Sequence, residues 1–314
     1  HPVVQAAAHA AIDRWGTGAG AARLMAGSRP VHRELEDALA AWKGTERALL
    51  FPTGYAANLG VLGVVGGPGV TIVSDELNHA SIIDGCRLAR ARVAVYRHAD
   101  AGHAAALVAA ADRAVVVTES VFSMDGDVAP VAELARVCAA RGALLVLDEA
   151  HAVLGPTPAV LDGVEILRVG TLSKMLAALG GFVAGPAPLV ELMVNRARPF
   201  IFTTAPTPAD AAAALAALGI VRSGQGAARL ERLREVVARV RPGHPSPIVA
   251  VLLGAEGAAL AASAALARRG LEVPAIRPPT VPPGTSRLRV SLSAVHTDAD
   301  IDQLIEGLAA VAPA

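Results

Sequence analysis

The stretch "VAELARVCAARGALLVLDEAH", residues 131–151, reads as a helix over 131–142 running into an apolar strand over 143–148. Three polar residues follow the strand: Asp148, Glu149 and His151. A continuous apolar run bounded by turns is the mark of a strand covered on both faces. The same alternation extends outward in both directions. Helical patterns occupy 31–42, 78–92 and 103–113, and strand-like runs occupy 47–51, 70–74, 93–97, 114–118, 166–170 and 181–185. Seven strands alternating with helices predict an α/β domain with a mainly parallel seven-stranded sheet between helices. After about residue 200 the pattern changes. Helices at 208–222, 227–240 and 256–269 surround strands at 247–254, 271–276 and 286–293. This predicts a large domain over 1–204 and a smaller C-terminal α+β domain over 205–314.

Bulk composition narrows the function. The 314 residues carry 28 basic and 28 acidic side chains, for a formal net charge of zero. Without a basic tract, nucleic acid is not expected as a partner. The mean hydropathy of +0.47 is raised by alanine. No apolar run of about 18 residues is free of charges or Gly/Pro breaks, so no membrane span is expected. The N-terminus shows no secretory leader pattern. Cys86 and Cys138 both sit in apolar helical patterns and read as buried thiols of a cytoplasmic protein.

In an open α/β sheet, ligands collect at the carboxyl ends of the strands. Thr53, Gly54 and Tyr55 follow the first strand, and Asp75, Asn78 and His79 the second. Glu119, Ser123 and Asp125 follow the strand at 114–118, and Thr171, Ser173 and Lys174 the strand at 166–170. "DEAH" alone also occurs in nucleotide-driven helicases, but there it accompanies a Walker A loop, which this sequence lacks. The spacing of His and carboxylates matches no compact metal motif, so no metal is expected. A nucleophilic serine would want G-x-S-x-G, also missing from the sequence.

The lysines sharpen the reading. The chain has 26 arginines and only two lysines, Lys43 and Lys174. An amine does what a guanidinium cannot: it loses a proton and condenses with an aldehyde. Pyridoxal phosphate needs such a lysine, with a carboxylate partner for its ring nitrogen. Lys174 and Asp148 suit these roles. The Gly54 and Tyr55 amides, with the Thr171 and Ser173 hydroxyls, suit the phosphate. His79 suits an aromatic plate over the ring, and His151 with Ser123 suits donors to the phenolic oxygen. Lys43 reads as a surface lysine.

These motifs resemble the α-oxoamine synthases, a family of fold-type-I pyridoxal-phosphate enzymes. The matching runs include "HRELEDALAAWKGTERALLFPTGYAANLGVL", "SDELNHASIIDGCRLARA", "ESVFSMDGDVAPVAEL", "LVLDEAHAVLG", "GTLSKMLAALGGFVAG", "ARPFIFTTAPTP" and "AIRPPTVPPGTSRLRVSLSAVHT". They occur in order over nearly the whole chain. The last run most resembles the biotin-pathway branch. The resemblance implies a homodimer with sites at the subunit interface. It implies decarboxylative condensation of an amino acid, L-alanine in this branch, with an acyl thioester, pimeloyl on coenzyme A or a carrier protein.

Position by position, it implies that Lys174 bonds the cofactor, Asp148 and His151 hold the ring nitrogen and phenolic oxygen, and His79 stacks. Glu119 and Ser123 would line the site. Gly54, Tyr55, Thr171 and Ser173 would hold the phosphate, and Thr203 and Thr204 would reach the phosphate of the neighbouring subunit. Arg277 and Arg23 would face the substrate. The alternatives are another α-oxoamine synthase such as a glycine C-acetyltransferase, a threonine-aldolase-like lyase on the same fold, and a non-catalytic binding subunit. Retention of Lys174 argues against the last.

The sequence also departs from the family. Relatives carry further residues before the position of His1, including a segment that helps close the acyl site. The usual Gly-Gly-Ser-Arg reads Gly20-Ala21-Ala22-Arg23, and the usual glycine after "SKxL" is Ala177. The loop after "DEAH" is shorter than usual.

Overall fold

A computed structural model describes residues 1–154 and 163–311. The chain divides into two compact units. The first takes His1–Ser120, Ala129–Ala150 and Thr157–Gly224; the second takes Val121–Val128, His151–Pro156 and Gln225–Ala314. The shortened loop expected after "DEAH" falls largely on 155–162, outside the described residues.

In the first unit, strands β1 (Arg47–Phe51), β2 (Thr71–Asp75), β3 (Arg92–Tyr96), β4 (Ala114–Glu119), β5 (Leu144–Asp148), β6 (Ile166–Thr171) and β7 (Gly181–Gly185) form one sheet, ordered β1-β7-β6-β5-β4-β2-β3. β7 runs antiparallel to both its neighbours, β1 and β6, and every other pairing is parallel. Two antiparallel steps restore direction, so β1 points the same way as β2 to β6. The carboxyl ends of β1, β2, β4, β5 and β6 therefore meet at one edge of the sheet.

Helices cover both faces of this sheet, which is why its strands are apolar throughout. On one face, Leu49, Phe51, Val117, Val146, Val169 and Val183 pack with residues of α3 (Gly54–Val65), α4 (Ala80–Leu88) and α7 (Ala187–Arg196). On the other, Ala48, Leu50, Phe182 and Ala184 pack with α2 (Pro30–Lys43) and α9 (Pro208–Val221). α1 (Pro2–Trp15) joins this second layer through Val4 and Ala8. α5 (Ala101–Ala109), α6 (Val131–Arg141) and the one-turn α8 (Arg198–Ile201) complete the unit. The first unit continues past the expected break at residue 205, because α9 buries Ala211, Ala214 and Leu218 in the same cluster as Leu35 and Leu39 of α2.

The second unit holds α10 (Gly224–Val240), β8 (Ile248–Gly254), α11 (Glu256–Ala267), β9 (Ala275–Ile276), β10 (Ser286–Ser291) and α12 (Asp298–Val311). Its sheet is antiparallel, in the order β8-β10-β9. β9 is two residues long where 271–276 was expected to pair; Pro274 has no N–H for the ladder and contributes only its carbonyl, to the amide of Arg289. Segment 121–128 belongs here because Asp125 pairs with Arg287 and the Gly126 carbonyl accepts from the Ser246 hydroxyl at 2.7 Å.

α4 starts later and stops earlier than the expected helix at 78–92. Asn78 is drawn into the sheet, donating to Ser74 and Val117 and accepting from the amide of Glu119. At the other end, Arg90 takes a left-handed φ of 56°, which ends the helical path before β3. Cys86 and Cys138 are buried and unbridged. Burial pushes their thiols up to about 11 and about 12.

Lys43 is not a surface lysine. Its side chain is 7% exposed, with Nζ 2.8 Å from Glu149 Oε2 and 4.0 Å from the centre of the Trp42 ring. Glu149 Oε1 meets Arg168 at 2.5 Å. A charge this deep needs a partner, and the last turn of α2 delivers the amine to one. Glu149→Ala, leaving two buried cations without their carboxylate, is expected to cost about 3–5 kcal/mol in a urea titration. Lys43→Met, which leaves Arg168 on Glu149, should cost less.

His32 is fully buried in α2 and neutral by geometry. Its Nδ1 accepts from the Arg29 amide at 3.0 Å, so the proton sits on Nε2 and goes to the Pro206 carbonyl at 2.9 Å. Burial lowers its pKa below the usual 6.5. The folded state therefore binds this proton less readily than the unfolded state. The His32 contribution is intact above pH 6.5, falls as pH drops toward the lowered folded value, and then levels off. The melting temperature of the wild type should fall more steeply between pH 7.5 and 5.5 than that of His32→Gln.

Candidate functional site

The strand-end edge brings several of the expected residues into one unit. α3 starts directly after β1. Thr53 caps it, its hydroxyl accepting from the Ala56 amide at 3.0 Å, and the Ala57 amide makes the first backbone bond, to Thr53. The amides of Gly54 and Tyr55 thus head a 12-residue helix, where an anion is favoured. Beside them, Thr171 Oγ1 lies 2.7 Å from Ser173 Oγ and accepts from the Ser173 amide at 3.2 Å. The turn is held tightly. A Cβ on Gly54 would come 3.3 Å from the Thr171 Cβ, and one on Gly181 would come 2.4 Å from the Gly54 nitrogen. Two amides and two hydroxyls at a helix N-terminus fit a phosphate.

Lys174 is exposed on the loop after β6. The loop is anchored by its leucines: Leu172 and Leu176 are buried, while Ser173 and Lys174 face outward. Backbone bonds from Leu172 to Gly180 and from Ala178 to Leu172 close it. Ala177 takes φ +52°, a conformation that glycine adopts freely and alanine at a cost of about 1–2 kcal/mol. The position where the sequence departs from the usual glycine is thus one whose backbone asks for glycine.

Asp148 ends β5, opposite Glu119 of β4 and Val169 of β6. It is 6% exposed and accepts two hydrogen bonds, from Asn58 Nδ2 at 2.7 Å and from the Ala150 amide at 2.9 Å. Asn58, on α3, is buried. Its Nδ2 also donates to Ser81 Oγ at 2.9 Å, and Ser81 Oγ lies 2.8 Å from His79 Nδ1. His79 caps α4 through the Ser81 amide, and the residue is exposed. A hydrogen-bonded chain thus links Asp148 to His79. A buried carboxylate for a protonated ring nitrogen, a phosphate cup and an exposed lysine together fit pyridoxal phosphate.

The other expected residues are placed as follows. Glu119 is buried at the end of β4, and Thr203 and Thr204 are exposed on the first unit. Arg23 has an internal partner: its guanidinium makes two bonds to Glu36, at 2.8 and 3.1 Å, and one to Ser28 at 2.9 Å. Ser123, His151 and Arg277 belong to the second unit. There Arg277 is half-exposed and 3.8 Å from Glu256, while Ser123 accepts from Arg289 Nε at 2.6 Å through its carbonyl. Among the described residues, no group of three or more His, Cys, Asp or Glu could hold a metal, and no helix is long and apolar enough to cross a membrane.

Asn58 and Ser81 were not singled out from the sequence. The available signal was an asparagine inside the apolar helix "GYAANLGVLGVV". Arg289 was also missed. Its guanidinium is partly buried, which lowers its pKa, and it donates to Ser123 and Ser291 rather than to an acid.

Comparison with known proteins identifies the family. The family model "Aminotransferase class I and II" matches residues 1–308. A protein of Anaeromyxobacter dehalogenans named 8-amino-7-oxononanoate synthase is 52% identical over 335 residues, spanning 99% of this chain and 83% of the relative. One of the same name from Methylobacterium is 49% identical over 317 residues, spanning 98% and 82%. Among solved structures, a serine palmitoyltransferase of S. paucimobilis with bound PLP and myriocin aligns with a TM-score of 0.93 at 32% identity, covering 99% of this chain and 83% of that one.

The packing of the cup yields a prediction. Gly181→Ala forces a Cβ against the Thr53–Gly54 backbone, 2.4 Å away. Strain on this scale typically costs 1–3 kcal/mol. The thermal midpoint should fall, and pyridoxal phosphate affinity, followed by absorbance titration, should fall at least tenfold.

Proposed function

This chain belongs to the aminotransferase class I and II family and to its α-oxoamine synthase branch, and we propose that it makes 8-amino-7-oxononanoate for biotin synthesis. The substrates are L-alanine and a pimeloyl thioester; the products are the aminoketone, carbon dioxide and a thiol. One observation carries the assignment of the chemistry. The buried carboxylate of Asp148 and the exposed amine of Lys174 issue from the carboxyl ends of the paired strands β5 and β6.

Pyridoxal phosphate, when bound, supplies an electron sink for the bonds broken at the α-carbon of the amino acid. This chain's residues do the rest. The amides of Gly54 and Tyr55 and the hydroxyls of Thr171 and Ser173 hold the phosphate. Asp148 would hold a proton on the ring nitrogen, and its own donors, Asn58 and Ala150, fix the carboxylate in place. Lys174 would hold the aldehyde group, and its amine would serve as the base and acid that moves a proton at the α-carbon of the amino acid. His79 would lie against the ring. Glu119 supports the strand-end cluster from β4.

His151 and Ser123 serve the phenolic oxygen, and Arg277 takes the amino-acid carboxylate, for which a planar fork is suited. Arg23, expected to face the substrate, is assigned instead to the Glu36 pair. The enzyme works as a homodimer in the cytoplasm, with Thr203 and Thr204 offered to the phosphate bound by the neighbouring subunit. Their exposure supports this role.

The test is spectroscopic and kinetic. Purified wild type incubated with pyridoxal phosphate and desalted should stay yellow. After borohydride reduction it should carry the cofactor's mass on the peptide containing Lys174. Lys174→Ala should be colourless after desalting and slower by about 10²–10⁴-fold or more in kcat, the range of a lost general base. Turnover of glycine with a short acyl thioester, and none of alanine with pimeloyl-CoA, would move the chain to another α-oxoamine synthase.

A further inference from the structure

Asn58 occupies a position that chemistry, more than packing, dictates. It lies in α3, among Ala57, Val61 and Leu62 of the apolar core, and is itself 1% exposed. Its Nδ2 carries two hydrogens and has two acceptors, Asp148 Oδ2 at 2.7 Å and Ser81 Oγ at 2.9 Å. The orientation of the amide is fixed by this pair. Turned over, its carbonyl oxygen would face a carboxylate. Its Oδ1 is buried without a hydrogen-bond partner in this orientation, an arrangement that costs stability. An amide kept in such a place is held by what its nitrogen does.

The protons can be followed outward. Ser81 Oγ accepts from Asn58, so its own hydrogen is free for His79 Nδ1, 2.8 Å away. The Ser81 amide also donates to Nδ1, at 3.2 Å. Both bonds require a lone pair on Nδ1, which puts the ring proton of neutral His79 on Nε2. We propose that Asn58 is a positioning residue that, through its two N–H bonds, holds the Asp148 carboxylate in place and, through Ser81, fixes His79 as the Nε2–H tautomer. The proposal rests on the cofactor reading above, in which Asp148 and His79 serve the same ring. It adds that the two are set by one amide and do not vary independently.

Two measurements on the full chain test it. The first is nitrogen-15 NMR of the histidine rings in wild type without cofactor, with His79 assigned by comparison with His79→Asn. The expected spectrum has His79 Nε2 protonated and Nδ1 bare; a proton on Nδ1 overturns the chain of donors. The second is titration of pyridoxal phosphate at one pH. Asn58→Leu keeps the bulk and removes the donor. Loss of a bond to a charged group should weaken cofactor binding about 10–100-fold. The same variant should also lower the Nε2–H population of His79 in the nitrogen-15 spectrum, which a packing defect alone would not cause.

Affinity within twofold of wild type, with the His79 tautomer unchanged, sinks the proposal. Should Asn58→Leu fail to fold, Ser81→Ala still decides. It keeps the bond to Asp148, so affinity should stay within about threefold, while the Nε2–H population of His79 drops. An unchanged tautomer overturns the link. If wild type itself binds no pyridoxal phosphate, the functional reading has failed, whereas binding by wild type with no response to these variants fails this inference alone.

Discussion

A buried carboxylate at the carboxyl end of a central strand is the constraint around which the first unit is built. Asp148 is nearly sealed from water, so its oxygens must be met by donors fixed in the protein. One comes from its own chain, the Ala150 amide, and the other from α3. α3 must therefore carry one amide in an otherwise apolar face and lie across the sheet at the height of β5. It must also begin at Gly54, where its leading amides lie beside Thr171. A single helix thus links the carboxylate to the Thr171 turn beside its own N-terminus. Packing of Val61 and Leu62 against Phe51, Val169 and Val183 fixes where that helix lies.

Asp148 and Glu149 are neighbours with opposite duties. Consecutive residues on an extended chain point to opposite sides. Asp148 turns toward α3 and the strand-end edge; Glu149 turns toward α2, into a cluster with Lys43 and Arg168. The second fastens α2 to the strand that carries the first. Four letters, "DEAH", therefore hold the acid proposed for the ring nitrogen and a structural clasp side by side.

Much of the fold was legible because both faces of the sheet are covered. Continuous apolar runs stand out, and all seven strands of the sheet lie within a residue or two of where the runs predicted them. The polar strand-end residues were legible for the same reason: they interrupt an apolar background. Asn58 was not, because one polar residue inside a helix is ordinarily a surface position, and only the sheet's geometry brings it to Asp148. Lys43 was misread on similar grounds, since nothing in "AAWKGTE" reveals that the last turn of α2 ends above Glu149. The extent of the first unit was hidden because α9, rich in alanine, has no clear apolar stripe to mark the layer it joins.

The two lysines in a chain of arginines now have separate physical reasons. Glu149 offers one oxygen to each cation, Oε1 to Arg168 and Oε2 to Lys43. A guanidinium prefers to take both oxygens of a carboxylate with its fork, so two arginines would compete for Glu149. An ammonium needs only one oxygen and is compact enough to sit over the Trp42 ring as well. Lysine at 43 is thus selected by geometry. Lysine at 174 answers, in the function proposed above, to a different demand, for an amine that can lose its proton and form a bond to carbon. The rarity of lysine elsewhere makes both positions stand out, but only the surroundings tell them apart. One amine lies buried against a carboxylate, with its charge fully used. The other sits exposed on a loop whose leucines and strained Ala177 hold it at the edge where the parallel strands end.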